Sequence, residues 1–239
     1  MPTPAKALNA ADPSGLRRTE DRRAAEMQAD LERLIRRVLD RLSPDSSPMA
    51  VQRIVDAELA GYSSGTRQKV IEWVQDTEQR SVLRGEQLLK ASGVSIGARL
   101  GPRELPKDLR ERIEINIANE IDSLTADVKK ALTRSLIDGM EAGEGSRVLT
   151  KRLQEDLAMP RVRADLIART ETMRAYNDAS KAQYERYGIK RVEWLAAIDE
   201  RTCPTCGALN GRQWPIDKAP PCPAHPRCRC VLLPCVDRL

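Results

Sequence analysis

Apolar residues recur at helical spacing through the first part of the chain. From about residue 16 to 42 they fall at i, i+3, i+4 and i+7, which predicts an amphipathic helix. The Ser- and Pro-rich segment 43–48 ends this helix. A short helix over 49–60, ending at Gly61, and a helix over about 64–91 are predicted next. The core positions expected in these helices are Leu31, Leu34, Ile35, Val38, Leu39, Leu42, Val70, Ile71, Val74, Val82, Leu88 and Leu89.

The most regular pattern lies in the middle of the chain, where an apolar residue recurs every three or four positions from Leu105 to Leu136. It predicts one helix of roughly 34 residues, about 50 Å long. Gly139, Gly143 and Gly145 are expected to end it. Because this helix carries a single apolar stripe, it needs a packing partner, either another helix of the chain or another subunit.

Towards the end of the chain the pattern changes from helical to strand-like. Helices are predicted over about 146–157 and 160–187, with Gly188 as the C-terminal cap of the second. Residues 191–198 contain a Trp and β-branched residues and predict a strand, and residues 231–233 predict another. The expected fold class is mainly α with a small C-terminal β module, an α+β protein.

Four segments follow from these patterns. Residues 1–15, rich in Pro and Ala, are expected to form a loose N-terminal arm. A helical N-terminal region over 16–103 ends in a connector with three Gly and a Pro at 92–103. A long-helix body is expected over 104–190, and a Cys-rich β tail over 191–239.

Composition favours long, solvent-exposed helices over a large aromatic core. The 239 residues include no Phe, three Trp and four Tyr, and 31% of the residues are charged. The formal net charge is +5, but Arg is interleaved with acidic residues, as in Glu20-Asp21-Arg22-Arg23. That arrangement favours solvated helix faces over the compact Lys/Arg block of a dedicated duplex-binding module.

The sequence carries neither a run of 18 apolar residues nor the apolar core of a secretory signal. We therefore expect no membrane span and a reducing compartment. In such a compartment clustered cysteines more often bind metal than form disulfides. All six Cys and the only His lie between positions 203 and 235, which points to a compact metal-binding tail.

The tail contains the pattern C-x2-C-x18-H-x2-C-x-C. Two thiolates at C-x2-C spacing reach one tetrahedral ion, and H-x2-C adds ligands of the kind zinc prefers. The five candidates for four ligand positions are Cys203, Cys206, His225, Cys228 and Cys230. The preferred set of four ligands is Cys203, Cys206, His225 and Cys228. Cys230 is the alternative to Cys228, because residues two apart on a strand point to the same side.

We expect the ion to be structural zinc. Five available donors favour a closed site over the open position of a catalytic zinc. A small tail with few large apolar side chains needs a staple, and structural zinc can supply on the order of 10 kcal/mol of folding free energy. The predicted architecture is thus long helices followed by a zinc-stapled, β-hairpin-like tail. Cys222 and Cys235, outside the pattern, are expected to be small apolar filler.

An enzymatic function is not expected. The single His excludes nuclease motifs that need several, and neither H-E-x-x-H nor a phosphate-binding glycine motif is present. A Cys–His nucleophile pair with His225 as base is the remaining option. It is disfavoured because this His lies at metal-ligand spacing.

Residues spread over about 120–237 resemble the phage Mu F-like head morphogenesis family. The residues that carry the resemblance are Ala168-Arg169-Thr170-Glu171-Thr172, Ala175, Asn177, Tyr187-Gly188, Trp194, Asp199, Arg201-Thr202-Cys203, Cys206, Leu209-Asn210-Gly211 and His225-Pro226-Arg227-Cys228-Arg229-Cys230. Their combined order and spacing are specific, whereas the first hundred residues carry no such motif.

The resemblance implies a phage minor head protein that acts in head assembly, DNA packaging or ejection. It implies the portal protein as partner, the major capsid or scaffold protein as a further partner, and a virion location near the portal after assembly in the host cytoplasm. No membrane and no small-molecule substrate are expected. Some family members are fused to toxin domains; because this chain ends at Leu239, we expect no such domain here.

An alternative function is binding of packaged DNA in the head interior through the zinc module. The candidate phosphate contacts are Arg201, Arg212, Lys218, Arg227 and Arg229. Against it, residues 191–239 hold seven Lys/Arg and five Asp/Glu, a weak surplus of positive charge.

Within the triplet Arg169-Thr170-Glu171, a helix-surface ion pair or a buried polar link is favoured over a catalytic pair. We hypothesise that Arg169 or Glu171 hydrogen-bonds loop backbone near the metal ligands and supports them from outside.

Overall fold

A computed structural model of the chain describes residues 11–43, 45–94 and 106–236. Over these ranges the elements are α1 (Arg17–Arg41), α2 (Pro48–Ala91), α3 (Lys107–Glu141), α4 (Ser146–Asp156), α5 (Ala158–Arg186), β1 (Arg191–Leu195), α6 (Pro204–Leu209), β2 (Gln213–Pro215) and β3 (Val231–Cys235). The expected class, mainly α with a small C-terminal β module, is confirmed. Within the described ranges, no helix combines the length and apolar character that crossing a membrane requires.

The prediction of two separate helices on either side of Gly61 is wrong, because α2 is one helix of 44 residues. A Cβ added at Gly61 would meet no atom within 4 Å, so this glycine lies on an open face of the helix. The turns around it are anchored by Val55, Leu59 and Tyr62, which are buried. Their packing outweighs the cost of about 1 kcal/mol that glycine imposes on a helix interior.

The long helix predicted in the middle of the chain is confirmed as α3, although its first predicted apolar position, Leu105, lies outside the described residues. Its apolar stripe is buried at Ile113, Ile117, Ile121, Leu124, Val128, Leu132 and Leu136. The helix ends at Glu141, and Gly143 follows in the left-handed region with φ 68°. Glycine is favoured there because it lacks the Cβ that makes this region strained.

The chain divides into two compact units. The first unit comprises Met1–Asp21, Glu72–Ile113 and Arg169–Leu239, and the second comprises Arg22–Ile71 and Glu114–Ala168. The second unit is helical, and its core includes Leu31, Leu34, Val38, Ile117, Ile121, Leu124, Val128, Leu132 and Leu136, all buried.

The first unit holds a three-stranded antiparallel sheet in the order β2-β1-β3. Trp194 lies opposite Leu232 in the pairing of β1 with β3, and Val192 lies opposite Trp214 in the pairing of β1 with β2. The predicted pair of strands missed β2, which is three residues long and ends in Pro215. Proline has no backbone N–H to donate to a neighbouring strand. It is tolerated in β2 because β2 lies at the edge of the sheet.

The described part of the N-terminal segment, from Ala11 onwards, contacts other residues of the first unit. Residues 1–10 lie outside the described residues, so the predicted arm is described only from Ala11 onwards. The carboxylate of Asp12 accepts hydrogen bonds from the Ser14 hydroxyl (3.1 Å) and the Arg17 amide (3.3 Å) and so caps α1. Leu16 packs beside Val231 and Leu233 of β3.

Candidate metal centre

Three short segments of the first unit bring the donors together. Cys203 is the N-cap of α6, where its Sγ accepts a hydrogen bond from the Cys206 amide at 3.3 Å. Pro204 follows at the start of the helix, a position that proline favours. His225 lies in the loop before β3, and Cys228 and Cys230 lie in the segment leading into β3. The local fold at the C-x2-C motif therefore aims two thiols in one direction.

Three of the distances between donors lie near those around a tetrahedral ion. His225 Nε2 lies 3.2 Å from Cys203 Sγ and 3.1 Å from Cys206 Sγ, and Cys206 Sγ lies 3.7 Å from Cys228 Sγ. Donors bound to one tetrahedral zinc lie about 3.6 to 3.8 Å apart, given Zn–S bonds of about 2.3 Å and Zn–N bonds of about 2.1 Å. His225 Nε2 would move about 0.4–0.5 Å away from the two thiols to accept the ion.

The five predicted donors fall into two groups that share Cys206. One group is Cys203, Cys206 and His225, the other is Cys206, Cys228 and Cys230, and the ligand atoms within each group lie within 4.8 Å of one another. Each group could hold a metal ion. Cys228 and Cys230 both lie beside Cys206, so the identity of the fourth ligand stays a prediction.

The imidazole of His225 is oriented for metal binding. Its Nδ1 donates a hydrogen bond to the Pro226 carbonyl oxygen at 2.8 Å, and this bond raises the pKa of His225. Because Nδ1 carries the proton in the neutral ring, the lone pair of Nε2 faces the two thiols. Metal-ligating histidines are commonly held by such a bond through the second ring nitrogen.

The thiols differ in proton affinity because their surroundings differ. The hydrogen bond from the Cys206 amide lowers the pKa of Cys203, whereas burial raises the pKa of Cys206 to about 12. Hydrogen bonds from Cys222 and Cys230 hold the pKa of Cys228 well below its usual range. A divalent cation deprotonates the thiols that ligate it, and a set of thiolates with one imidazole suits zinc.

Cys222, expected to be apolar filler, has a more specific role. It is buried, and its Sγ lies 3.2 Å from the Cys230 carbonyl oxygen. It also hydrogen-bonds Cys228. The expectation was incomplete because sequence spacing does not show that the loop before His225 folds back onto the cluster. Cys235 lies on β3, outside both donor groups.

The loop that carries His225 turns sharply before Cys228. The Cys228 amide donates to the His225 carbonyl at 3.1 Å, and Arg227 has φ 61°, in the left-handed region. The Arg227 amide donates to the Thr170 hydroxyl at 3.3 Å. The contact hypothesised from Arg169 or Glu171 stays a prediction; it is the hydroxyl of Thr170, between them, that reaches this loop. Arg169 pairs with Asp21 at 2.7 Å, and Glu171 pairs with Arg174.

Asn177 contacts the segment after the donors in a way that the sequence analysis did not predict. Its amide nitrogen donates to the Cys230 carbonyl at 3.1 Å, and its amide oxygen accepts from the Leu232 amide at 3.0 Å. These groups face away from β1, so the side chain takes the place of a neighbouring strand along β3. Its presence among the residues of the family resemblance was the available signal.

Residues 128–233 match the family model described as Phage Mu protein F like protein, which confirms the resemblance drawn from the sequence. An uncharacterized protein of Haemophilus influenzae is 26% identical over 137 residues, 51% of this chain; the chain spans about a third of that relative's length, 31%. No solved structure matches the chain.

Proposed function

We propose that the chain is a phage minor head protein, associated with the portal and the head interior during assembly, DNA packaging or ejection. We further propose that its tail is a zinc-stapled interaction module and not an active site. The observation that carries the proposal is the family match over residues 128–233, which includes every candidate ligand. The convergence of those ligands in two groups that share Cys206 supports the metal.

The arrangement around His225 supports a structural site over a catalytic one. The 3.2 Å contact between Cys203 Sγ and His225 Nε2 is what a thiol hydrolase would need. However, Cys206 Sγ contacts the same nitrogen at 3.1 Å. Two thiols around one nitrogen form a ligand set, whereas a nucleophile needs one thiol and one base. Cys206, Cys228 and Cys230 are also buried, which suits a closed site.

Alkylation separates these two functions. We expect iodoacetamide to modify the zinc-loaded chain slowly at pH 7 and the chelated chain at several thiols. A single rapidly alkylated Cys203 in the chain as purified, protected by no metal, would instead favour a thiol hydrolase.

The head function is tested by complementation in a phage that lacks this chain. We expect wild-type protein to restore infectious particles and to be recovered from virions cross-linked to the portal protein. The double variant Cys206→Ser/Cys228→Ser should fail to restore infectivity, because it removes two candidate ligands. Cys235→Ser is the matched control, since this cysteine lies outside both donor groups. Full complementation by the double variant would show that the metal centre is dispensable.

The DNA-binding alternative rests on exposed basic side chains of the tail. Arg201, Arg212, Lys218 and Arg227 are exposed. Arg229 is engaged with Asp199 through two contacts of 2.6 Å, which removes it from the candidate phosphate contacts.

Salt dependence tests this alternative. If the tail binds duplex DNA, affinity should fall steeply between 50 and 200 mM salt, by roughly a decade for each few phosphates contacted. Arg212→Ala/Lys218→Ala should reduce that dependence. Weak binding that is the same in wild type and in this double variant would argue against it.

A further inference from the structure

Asp199 and Arg229 form an ion pair between the two segments that carry the candidate ligands. Arg229 lies between Cys228 and Cys230, and Asp199 lies four residues before Cys203. Both guanidinium Nη atoms donate to the carboxylate at 2.6 Å. The side chain of Arg229 is 16% exposed and that of Asp199 is 11% exposed. A two-point contact of this kind fixes orientation as well as distance.

The carboxylate of Asp199 is held rigidly relative to Cys203. Its Oδ1 accepts from the Arg201 amide at 2.9 Å, and its own amide donates to the Thr202 hydroxyl at 2.9 Å. The Thr202 hydroxyl donates in turn to the Ala197 carbonyl at 2.6 Å. The turn that leads into the C-x2-C motif is thereby closed by its own hydrogen bonds.

The other end of the pair is equally well placed. The residues on either side of Arg229 are fixed by the bond from the Cys228 amide to His225 and by the bond from Asn177 to the Cys230 carbonyl. Arg229 Nη1 also lies 3.4 Å from the Ala11 carbonyl oxygen. The guanidinium therefore connects the H-x2-C-x-C segment both to the C-x2-C turn and to the N-terminal segment.

We propose that the Asp199–Arg229 pair positions the metal ligands by holding the two ligand-bearing segments in register before the ion binds. This inference rests on the metal centre of the proposed function. The pair contributes no ligand, because the carboxylate is engaged by Arg229 and by backbone. The pair lowers the entropic cost of closing the 18-residue loop between Cys206 and His225 around the ion, because it already holds the two segments together.

The test measures zinc release from the full, zinc-loaded chain to a chromogenic chelator. Asp199→Asn keeps the shape but removes the charge, and Arg229→Lys keeps the charge but removes the two-point contact. We expect both variants to release zinc about 10- to 100-fold faster than wild type. The visible absorption of the cobalt-substituted chain should be unchanged, because the ligands are the same.

Arg201→Lys is the matched control. Its side chain is 52% exposed and reaches the same carboxylate at 3.4 Å, while its backbone amide is unaffected by the substitution. We expect a wild-type release rate.

Three results would overturn the inference. Wild-type release rates in both Asp199→Asn and Arg229→Lys would show that the pair does not position ligands. Equal loss of stability in the metal-free and metal-loaded forms, measured by urea unfolding with no change in release rate, would show a purely structural ion pair. A wild-type chain that takes up neither zinc nor cobalt would instead remove the metal centre itself.

Discussion

At the scale of single residues, Asn177 links helix α5 to the strand that follows the candidate metal ligands. Its amide nitrogen donates a hydrogen bond to the carbonyl of Cys230, just before β3, and its amide oxygen accepts one from the Leu232 amide in β3. The side chain is buried. If the side chain is removed, the Leu232 amide remains buried without this partner, which costs about 1–3 kcal/mol. The Cys230 carbonyl keeps its contact with Cys222 Sγ.

Asn177→Ala should therefore lower the free energy of unfolding by about 1–3 kcal/mol. Urea denaturation of the metal-loaded chain measures it. Asn119→Ala is the matched control, because Asn119 is exposed on α3 and alanine has the higher helix propensity. If the two variants were equally stable, the contact of Asn177 with β3 would contribute nothing.

Glu20 is a buried carboxylate in the same unit. Burial raises its pKa to about 7, while the charges of Arg169 and Arg229 oppose this and those of Asp12 and Asp21 add to it. The folded state thus holds the proton more tightly than the unfolded state, whose carboxyl has the usual pKa of 4.5. Folding stability from this group is fully present below pH 4.5 and is lost as the pH rises towards about 7.

Glu20→Gln should remove this pH dependence. Relative to the variant, wild type is expected to lose up to about 3 kcal/mol between those two pH values. The measurement is the difference in unfolding free energy between variant and wild type across the range, which cancels any loss of metal common to both. Glu114→Gln, at an exposed position of α3, is the control. A difference that stays constant with pH would show that Glu20 does not titrate in this window.

At the scale of elements, two glycines in and after α2 differ in whether the backbone requires glycine. Gly61 lies within the helix with open space around it, whereas Gly93 follows the helix end with φ 84°. Gly61→Ala should raise the melting temperature by stabilising the helix by about 1 kcal/mol. Gly93→Ala should lower it, because alanine is strained by about 1–2 kcal/mol in the left-handed region. Thermal unfolding followed by circular dichroism compares them; a neutral or harmful Gly61→Ala would contradict a continuous α2.

Hydrophobic periodicity predicted most of the helices and strands. It failed where packing against other elements determines whether a helix continues or a strand forms. The stripe of α3 and the strand around Trp194 could be read from local pattern, because each buries one face. The false break at Gly61 arose because local propensity counted a glycine and could not count the buried side chains beside it. Strand β2 was missed because three residues ending in Pro215 carry no periodicity of their own.

At the candidate metal centre, too, local spacing predicted some features and missed those that depend on the fold. The spacing of Cys203, Cys206 and His225 selected donors that the fold brings together, because metal-ligand chemistry restricts the residue types and short separations. The Asp199–Arg229 pair could not be predicted, since its partners lie 30 residues apart and their approach depends on the fold.

At the scale of the whole molecule, all the candidate ligands belong to the first unit. Trp194 is fully buried in the same core cluster as Cys206, Cys228 and Cys230. Removal of the metal should therefore loosen this cluster and leave the helical core of the second unit protected.

Hydrogen exchange with and without a zinc chelator measures this. Amides of β1, β3 and the segment between them should exchange faster after chelation, and amides of Ile117–Leu136 should not. Protection should return when zinc is restored. Equal loss of protection in both units would contradict a local role for the metal.

Metal content of the purified chain, from native mass spectrometry and elemental analysis with titration of free thiols, tests the zinc centre most directly. We expect about one zinc per chain and the release of additional reactive thiols when zinc is chelated. A metal-free chain with six freely titrating cysteines, or with one hyper-reactive Cys203, would contradict it.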